Sequence, residues 1–295
     1  VAGATAAVSG VAVFANSYGV HAVPQAAVYT TAKNLIAAAV LVAWAVVLHR
    51  RSPAAARPRV GATGLRAWAM VTYVGVVGGG LAFVLFFTGL ARSTAEPAAF
   101  LHDTQVVWVA VLALPLLGER LSAWNAAAIV GLVAGQVAMT GGVGHLVAGS
   151  GAALVVGATV LWALETVLCR RLLVAGVQPH ELAALRMGIG AVVLVAYLVA
   201  TGSVGALVHL HGDQWRWVLL TGVLLSAYVA TWMTALARAR AVDVTSVLVA
   251  SVVVTALLQS AAGHGSLAPK ALGMVLVVVG VAGALWRLPE RRLAR

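Results

Sequence analysis

The chain has 295 residues, of which 62% are hydrophobic and 9% charged, with a mean hydropathy of +1.01 and a formal net charge of +11. A water-soluble domain is about 45–50% apolar and about 25% charged, so this composition excludes one and points to an all-α membrane protein, whose helices satisfy their own backbone hydrogen bonds in lipid. The basic residues form no exposed stripe and belong to no soluble recognition motif, which sets nucleic acid aside, and a single cysteine, Cys169, excludes an intramolecular disulfide or a cysteine-based metal cluster.

A helix crossing the hydrocarbon needs about 20 mainly apolar residues. In chain order such stretches fall at 2–20, 26–48, 67–91, 97–117, 123–140, 150–173, 180–200, 217–237, 242–262 and 267–288. The opening stretch lacks a basic n-region and is followed by further spans, so it reads as a first helix and not as a cleaved signal peptide. Turn chemistry or charge marks the breaks, as at Pro24, Arg92-Ser93, Gly118-Glu119-Arg120, Gly141-Gly142 and Pro179. With the N-terminus in the cytoplasm, fourteen Lys and Arg fall in inside segments against three outside, a positive-inside bias that predicts a multi-pass protein of the plasma (inner) membrane with both termini cytoplasmic. Trp68, Trp124, Trp215, Trp217 and Trp286 lie near span ends, where indoles favour the interface.

The two halves of the chain repeat one another. Thr88-Gly-Leu-Ala-Arg92 follows the third span and Thr234-Ala-Leu-Ala-Arg238 the eighth, 146 residues apart. Lys33 with Ala38, Leu41, Val42 and Ala43 matches Arg186 with Ala191, Leu194, Val195 and Ala196 at a separation of 153. The repeat is five helices, dividing the chain into 1–148 and 149–295. Five is odd, so the second copy enters from the opposite side. The expected fold is therefore ten transmembrane helices in two inverted five-helix repeats, an arrangement that builds alternating-access carriers with a midplane site.

Leu114-Pro-Leu-Leu-Gly118-Glu119-Arg-Leu-Ser-Ala-Trp-Asn followed by Gly131-Leu-Val-Ala-Gly135 resembles the end of an EamA repeat of the drug/metabolite transporter superfamily. So do the Leu-Ala-Arg turn in each half and the run from Pro179 to Arg186. The resemblance implies ten helices, cytoplasmic termini and export or exchange of amino acids, other metabolites or toxic organic compounds. The second half departs from the pattern, with Gly263-His264-Gly265 where the first has Gly118-Glu119-Arg120.

An ionisable side chain inside a span costs roughly 2.5–3.5 kcal/mol on insertion scales and so faces a cavity or a partner. Lys33 and Asp103 both enter from outside and share a depth of roughly 10 Å at about 1.5 Å per residue, which predicts a pair. Arg186 and Glu165 form a second candidate pair at the inner side. Trp162, Glu165 and Cys169 lie on one helical face at spacings of three and four, a place for a cation over a ring or for helix packing. His102, Asp103 and Gln105 make a polar arc on the fourth span, and Asn16 and Asn34 add polar groups near the outer ends of theirs. Lys33, Asp103, Glu165, Arg186, Trp162, His102, Gln105, Asn16 and Asn34 either line a path for a charged substrate or a coupling proton, or pin helices together. Gly75 with Gly79 and Gly131 with Gly135 read as close helix approach. Gly78-Gly79-Gly80 lacks the Lys-Ser/Thr of a phosphate loop, and His209 with His211 lacks the further ligands of a zinc site.

The expected function is a secondary transporter that exports or exchanges small metabolites such as amino acids, needing neither cofactor nor metal. Its partners are the lipid bilayer and a small-molecule substrate, with proton coupling through Glu165 or Asp103 as an option that competes with ion pairing. Efflux of hydrophobic organic cations is the alternative within transport. A membrane-embedded enzyme or receptor is the alternative outside it, disfavoured because no nucleophile and base pair stands in the spans.

Overall fold

The computed structural model describes residues 1–51, 64–92, 101–119, 123–140, 149–263 and 266–286. Among these every regular element is helical: α1 (Ala2–Ala22), α2 (Ala26–Arg51), α3 (Leu65–Tyr73), a π-helical segment (Val74–Leu81), α4 (Ala82–Ala91), α5 (Gln105–Leu117), α6 (Ala123–Thr140), α7 (Ser150–Val174), α8 (Pro179–Ala200), the short α9 (Val204–Val208), α10 (Gly212–Arg238), α11 (Ala241–Leu248), α12 (Ser251–Ala261), a 3-10 turn (Ala268–Lys270) and α13 (Ala271–Trp286). Six helical segments have the length and hydropathy to cross a membrane, and three shorter apolar helices, Leu101–Leu117, Ala126–Gly135 and Ala268–Gly283, accompany them.

Local chemistry explains the ends. Pro179 opens α8, where its missing N–H and fixed φ cost nothing. Gly118 closes α5 at φ 67, and that left-handed turn brings Glu119 back across the helix end. His211, expected in a plain solvated loop, is the N-cap of α10 and forms a capping box with Gln214.

The most extensive helix contacts join one half of the chain to the other: α6 with α13, α1 with α10, α2 with α8, α8 with the π segment, α4 with α7, α2 with α10, α5 with α7 and α1 with α12. Exchange of the halves maps this pattern onto itself. The counterparts also run antiparallel where they meet. In α2 and α8, Trp44 stacks edge-on with His180 while Gly188, further along α8, approaches Val42, earlier in α2. In α6 and α13, Gly135 faces Gly273 while Gly280 faces Ala128 and Leu132. The second half therefore traverses the bundle with the opposite sense to the first.

Two features depart from uninterrupted α-helices. The third expected span contains the π segment, with Gly78, Gly79 and Gly80 buried at its centre. Here a Cβ on Gly75 would overlap Ile189, and one on Gly79 would overlap the carbonyl of Arg186, so the missing side chains let the segment lie against α8. Gly135 meets the carbonyl of Gly273 in the same way, whereas nothing lies close to Gly131. The second feature is a pair of tightened turns. The helix Leu101–Leu117 tightens at Thr104 and the span Ala241–Ala261 tightens at Val249 and Ala250, where backbone hydrogen bonds run from residue i to i+3 and all three residues keep right-handed helical dihedrals. Thr104 and Ala250 are 146 residues apart, the repeat separation seen in the Leu-Ala-Arg turns.

Candidate functional site

Beside these turns lies a small cavity lined by His102, Asp103, Gln105 and Val106 from one half and Thr245, Leu248 and Val249 from the other. His102 and Asp103 lie 3.6 Å apart, Nδ1 to Oδ1, and Gln105 donates from Nε2 to Thr166 Oγ1 at 3.1 Å, tying α5 to α7. His102 also meets Trp162 and Phe86 at ring centroid distances of 5.3 and 5.4 Å, and Phe83 meets Trp162 at 5.1 Å. These rings form an aromatic wall beside the cavity.

The expected pair of Glu165 and Arg186 is present. Arg186 grips the carboxylate with two nitrogens, Nε to Oε1 and Nη2 to Oε2, the latter at 3.0 Å. Both side chains are buried, with residue exposures of 4% for Glu165 and 7% for Arg186. The fork geometry of guanidinium and carboxylate gives such a pair its strength. The π segment completes the site: the Gly78 carbonyl accepts from Arg186 Nη2 at 3.3 Å and from Trp162 Nε1 at 3.0 Å. A side chain at Gly78 would occupy the place of the Glu165 carboxyl group. The glycine run, which the sequence shows only not to be a phosphate loop, thus supplies a carbonyl to the buried charge, and π-helical turns often occur at functional sites. Cys169 Sγ lies 3.9 Å from Glu165 Oε1, so the stripe of Trp162, Glu165 and Cys169 faces this network as one surface.

The other expected pair, Lys33 with Asp103, is not formed. Lys33 Nζ donates to Asn16 Oδ1 at 2.8 Å and lies over the rings of Phe87 and Tyr29, 4.2 and 5.2 Å from their centroids. Equal depth along two helices says nothing about azimuth. Lys33 points towards α1 and α4, while Asp103 lies at the cavity shared with Thr245 and Val249. Tyr29 braces the arrangement, its hydroxyl 2.7 Å from Asn16 Oδ1 and 3.0 Å from Thr221 Oγ1. Asn34 lies on the next turn, buried, with neither side-chain atom hydrogen-bonded among the described residues.

In both halves, then, the second helix carries a buried cation and the preceding helix its partner. Lys33 and Arg186 are 153 residues apart, and Asn16 and Glu165 are 149 apart. The sequence contained this correspondence, but Asn16 was read alone and not as the counterpart of Glu165.

A separate polar node joins the halves where α5 ends. Glu119 Oε1 accepts from the Ala241 amide at 3.2 Å, so the carboxylate caps the N-terminus of a helix in the opposite half. Arg240 pairs with Asp243 through two bonds of 2.8 and 2.6 Å, and Arg170 Nη1 donates to the Leu236 carbonyl at 2.7 Å. The hydrogen bonds that Arg240 donates to Asp243 hold its guanidinium even more firmly protonated than usual, against the effect of its partial burial. Arg120, the third residue of the turn motif, lies outside the described residues.

Apolar helices packed between two related halves, with a polar cavity at their interface, define a polytopic membrane transporter assembled from a duplicated unit. A family model described as the EamA-like transporter family matches residues 1–141 and again 149–286, and the chain belongs to that family. Transport by members of the drug/metabolite transporter superfamily is the activity this membership carries. No curated protein matches the chain. A crystal structure of a protein 18% identical in sequence superposes with a TM-score of 0.76 over 96% of this chain and 97% of the other, a likeness of fold.

Proposed function

We propose that the protein is a secondary transporter of the plasma membrane that moves small metabolites such as amino acids by alternating access between its two inverted halves. On this reading ten spans cross the bilayer, both termini are cytoplasmic, and the substrate binds where the halves meet. The observation that carries the proposal is the small cavity walled by residues of both halves, beside the matched tight turns at Thr104 and Ala250. A cavity walled by both halves is what rocking one half against the other would open to each side in turn.

The alternative of organic-cation efflux finds support in the aromatic wall of Phe83, Phe86, Trp162 and His102. It needs an acid to hold the cation: Glu165 is already neutralised by Arg186, and the cavity's acid, Asp103, stands beside His102. Metabolite transport is therefore the better supported reading. It also fits Lys33, a buried cation suited to a negatively charged group.

The test is uptake by proteoliposomes of a panel of amino acids and organic cations, with and without an imposed pH gradient. Protein-dependent accumulation of amino acids is the expected result, and its dependence on the gradient measures proton coupling. Accumulation of organic cations alone would replace the reading with efflux. Movement of neither class, from protein whose correct insertion is verified, would defeat the proposal.

A further inference from the structure

We infer that Thr30, Lys33 and Asn34 form the anchoring point for the carboxylate and amine of an amino-acid-like substrate. The inference rests on the transport reading above, specifies the chemistry its substrate must carry, and places the anchor on α2 outside the lining of the cavity of His102, Asp103 and Thr245.

Four buried side-chain polar atoms among the described residues lack a hydrogen-bond partner, and three of them, Thr30 Oγ1, Asn34 Nδ2 and Asn34 Oδ1, lie one helical turn apart on α2. Both residues have 0% exposure, and Lys33 between them has 3%. Buried polar groups are nearly always hydrogen-bonded, and each exception needs an explanation. An accident of packing would scatter such atoms over many helices. Here they collect beside a buried cation.

The position on the helix supports the same conclusion. Thr30, Lys33, Asn34, Ala37, Ala38 and Leu41 recur at spacings of three and four along the buried stripe of α2, whereas Leu35, Val42 and Val46 on the opposite side are exposed. The unpartnered groups therefore belong to the face of α2 that looks into the bundle.

The chemistry names the ligand. Lys33 has three N–H donors, of which Asn16 takes one, the remainder being turned towards aromatic rings. Among the described residues no carboxylate lies within ion-pair distance of it. An incoming carboxylate would supply a negative charge and accept from Lys33 and Asn34 Nδ2. Asn34 Oδ1 and Thr30 Oγ1 are acceptors, placed to take N–H bonds from an amine on the same molecule. An organic cation would meet Lys33 as a like charge.

The experiment compares the twenty standard amino acids, each beside its carboxamide and its decarboxylated amine, by proteoliposome uptake and by thermal shift of the purified protein. In the wild type the acids are expected to be taken up and to raise the melting temperature, and the amides and amines to do neither. Lys33→Gln is expected to raise the half-saturating concentration for acids by about tenfold or more, the loss of one charge-assisted hydrogen bond, while Lys33→Arg retains the preference for acids. Thr30→Val and Asn34→Leu replace unpartnered groups by apolar ones of similar size. Both are expected to hold or raise thermal stability while weakening uptake of acids, a combination that a purely structural role would not produce. Uptake of amides or amines equal to that of acids, or unchanged acid uptake in all three weakening variants, would overturn this inference and leave the transport reading standing. Failure of every compound to be transported would remove both.

Discussion

Asn16 and Lys33 in the first half hold the places that Glu165 and Arg186 hold in the second, yet the two pairs do different work. In the second half both charges are matched by a bidentate contact and a backbone carbonyl from the π segment. In the first half the cation has a neutral amide and two aromatic faces. Duplication supplied one scaffold of helix and partner, and a single difference, carboxylate against carboxamide, separates a closed electrostatic unit from an open one. The closed unit ties α7, α8 and the π segment together. The open one leaves a positive charge available to something that comes and goes.

Four perturbations test this contrast. The largest effect is expected from Glu165→Leu or Arg186→Leu alone, since removing one partner of a buried pair strands the other charge and costs about 3–5 kcal/mol. Thermal denaturation in detergent should show a steep loss of stability in each single variant and substantial recovery in the double variant. A double variant as unstable as either single one would show that the two side chains are not energetically coupled. Gly78→Ala perturbs the same pair without touching its charges, because the added methyl would fall on the Glu165 carboxyl group. Overpacking of this kind costs about 1–3 kcal/mol, again read as a lowered melting temperature.

Asn16→Asp converts the open pair into a copy of the closed one. Lys33 would then carry its own counter-ion, and acid uptake is expected to weaken by about tenfold, equivalent to about 1.4 kcal/mol of binding. Unchanged uptake would mean that the neutrality of Asn16 is irrelevant to function. The smallest effect is expected at Glu119→Ala, which removes a helix cap worth about 0.5–1 kcal/mol. Faster hydrogen exchange at the Ala241 amide should report it, with the Glu165 and Arg186 region unaffected.

Much of this architecture could be read from residues alone, because lipid demands long apolar helices and the repeat left matching signatures. Glu165 and Arg186 were paired correctly by depth. The same argument failed for Lys33 and Asp103, since depth is one coordinate and contact requires azimuth as well. The tight turn at Val249 and Ala250 carries neither Gly nor Pro, so no local residue announces it, and its counterpart at Thr104, 146 residues earlier, is equally silent. The π segment was hidden for another reason: Gly78-Gly79-Gly80 permits many backbone states, and the one adopted is selected by the side chains of Arg186 and Trp162 that use its carbonyl. Thr30 escaped notice because a threonine in an apolar helix usually bonds back to its own backbone, as Thr31 does to Ala27.

The pattern of contacts between halves also bears on how the protein is made. Because α1, α2, α4, α5 and α6 find their most extensive contacts on helices translated later, the emerging first half has little of its own to pack against. Its helices must wait in the lipid as separate cylinders, the first stage of membrane assembly, until their complements are inserted. The buried Lys33 and its neighbours spend that interval without the aromatic and polar enclosure of the finished bundle. A ribosome that stalls midway would therefore leave an exposed, charged fragment for quality control to recognise, so the two repeats are units of ancestry and not of folding.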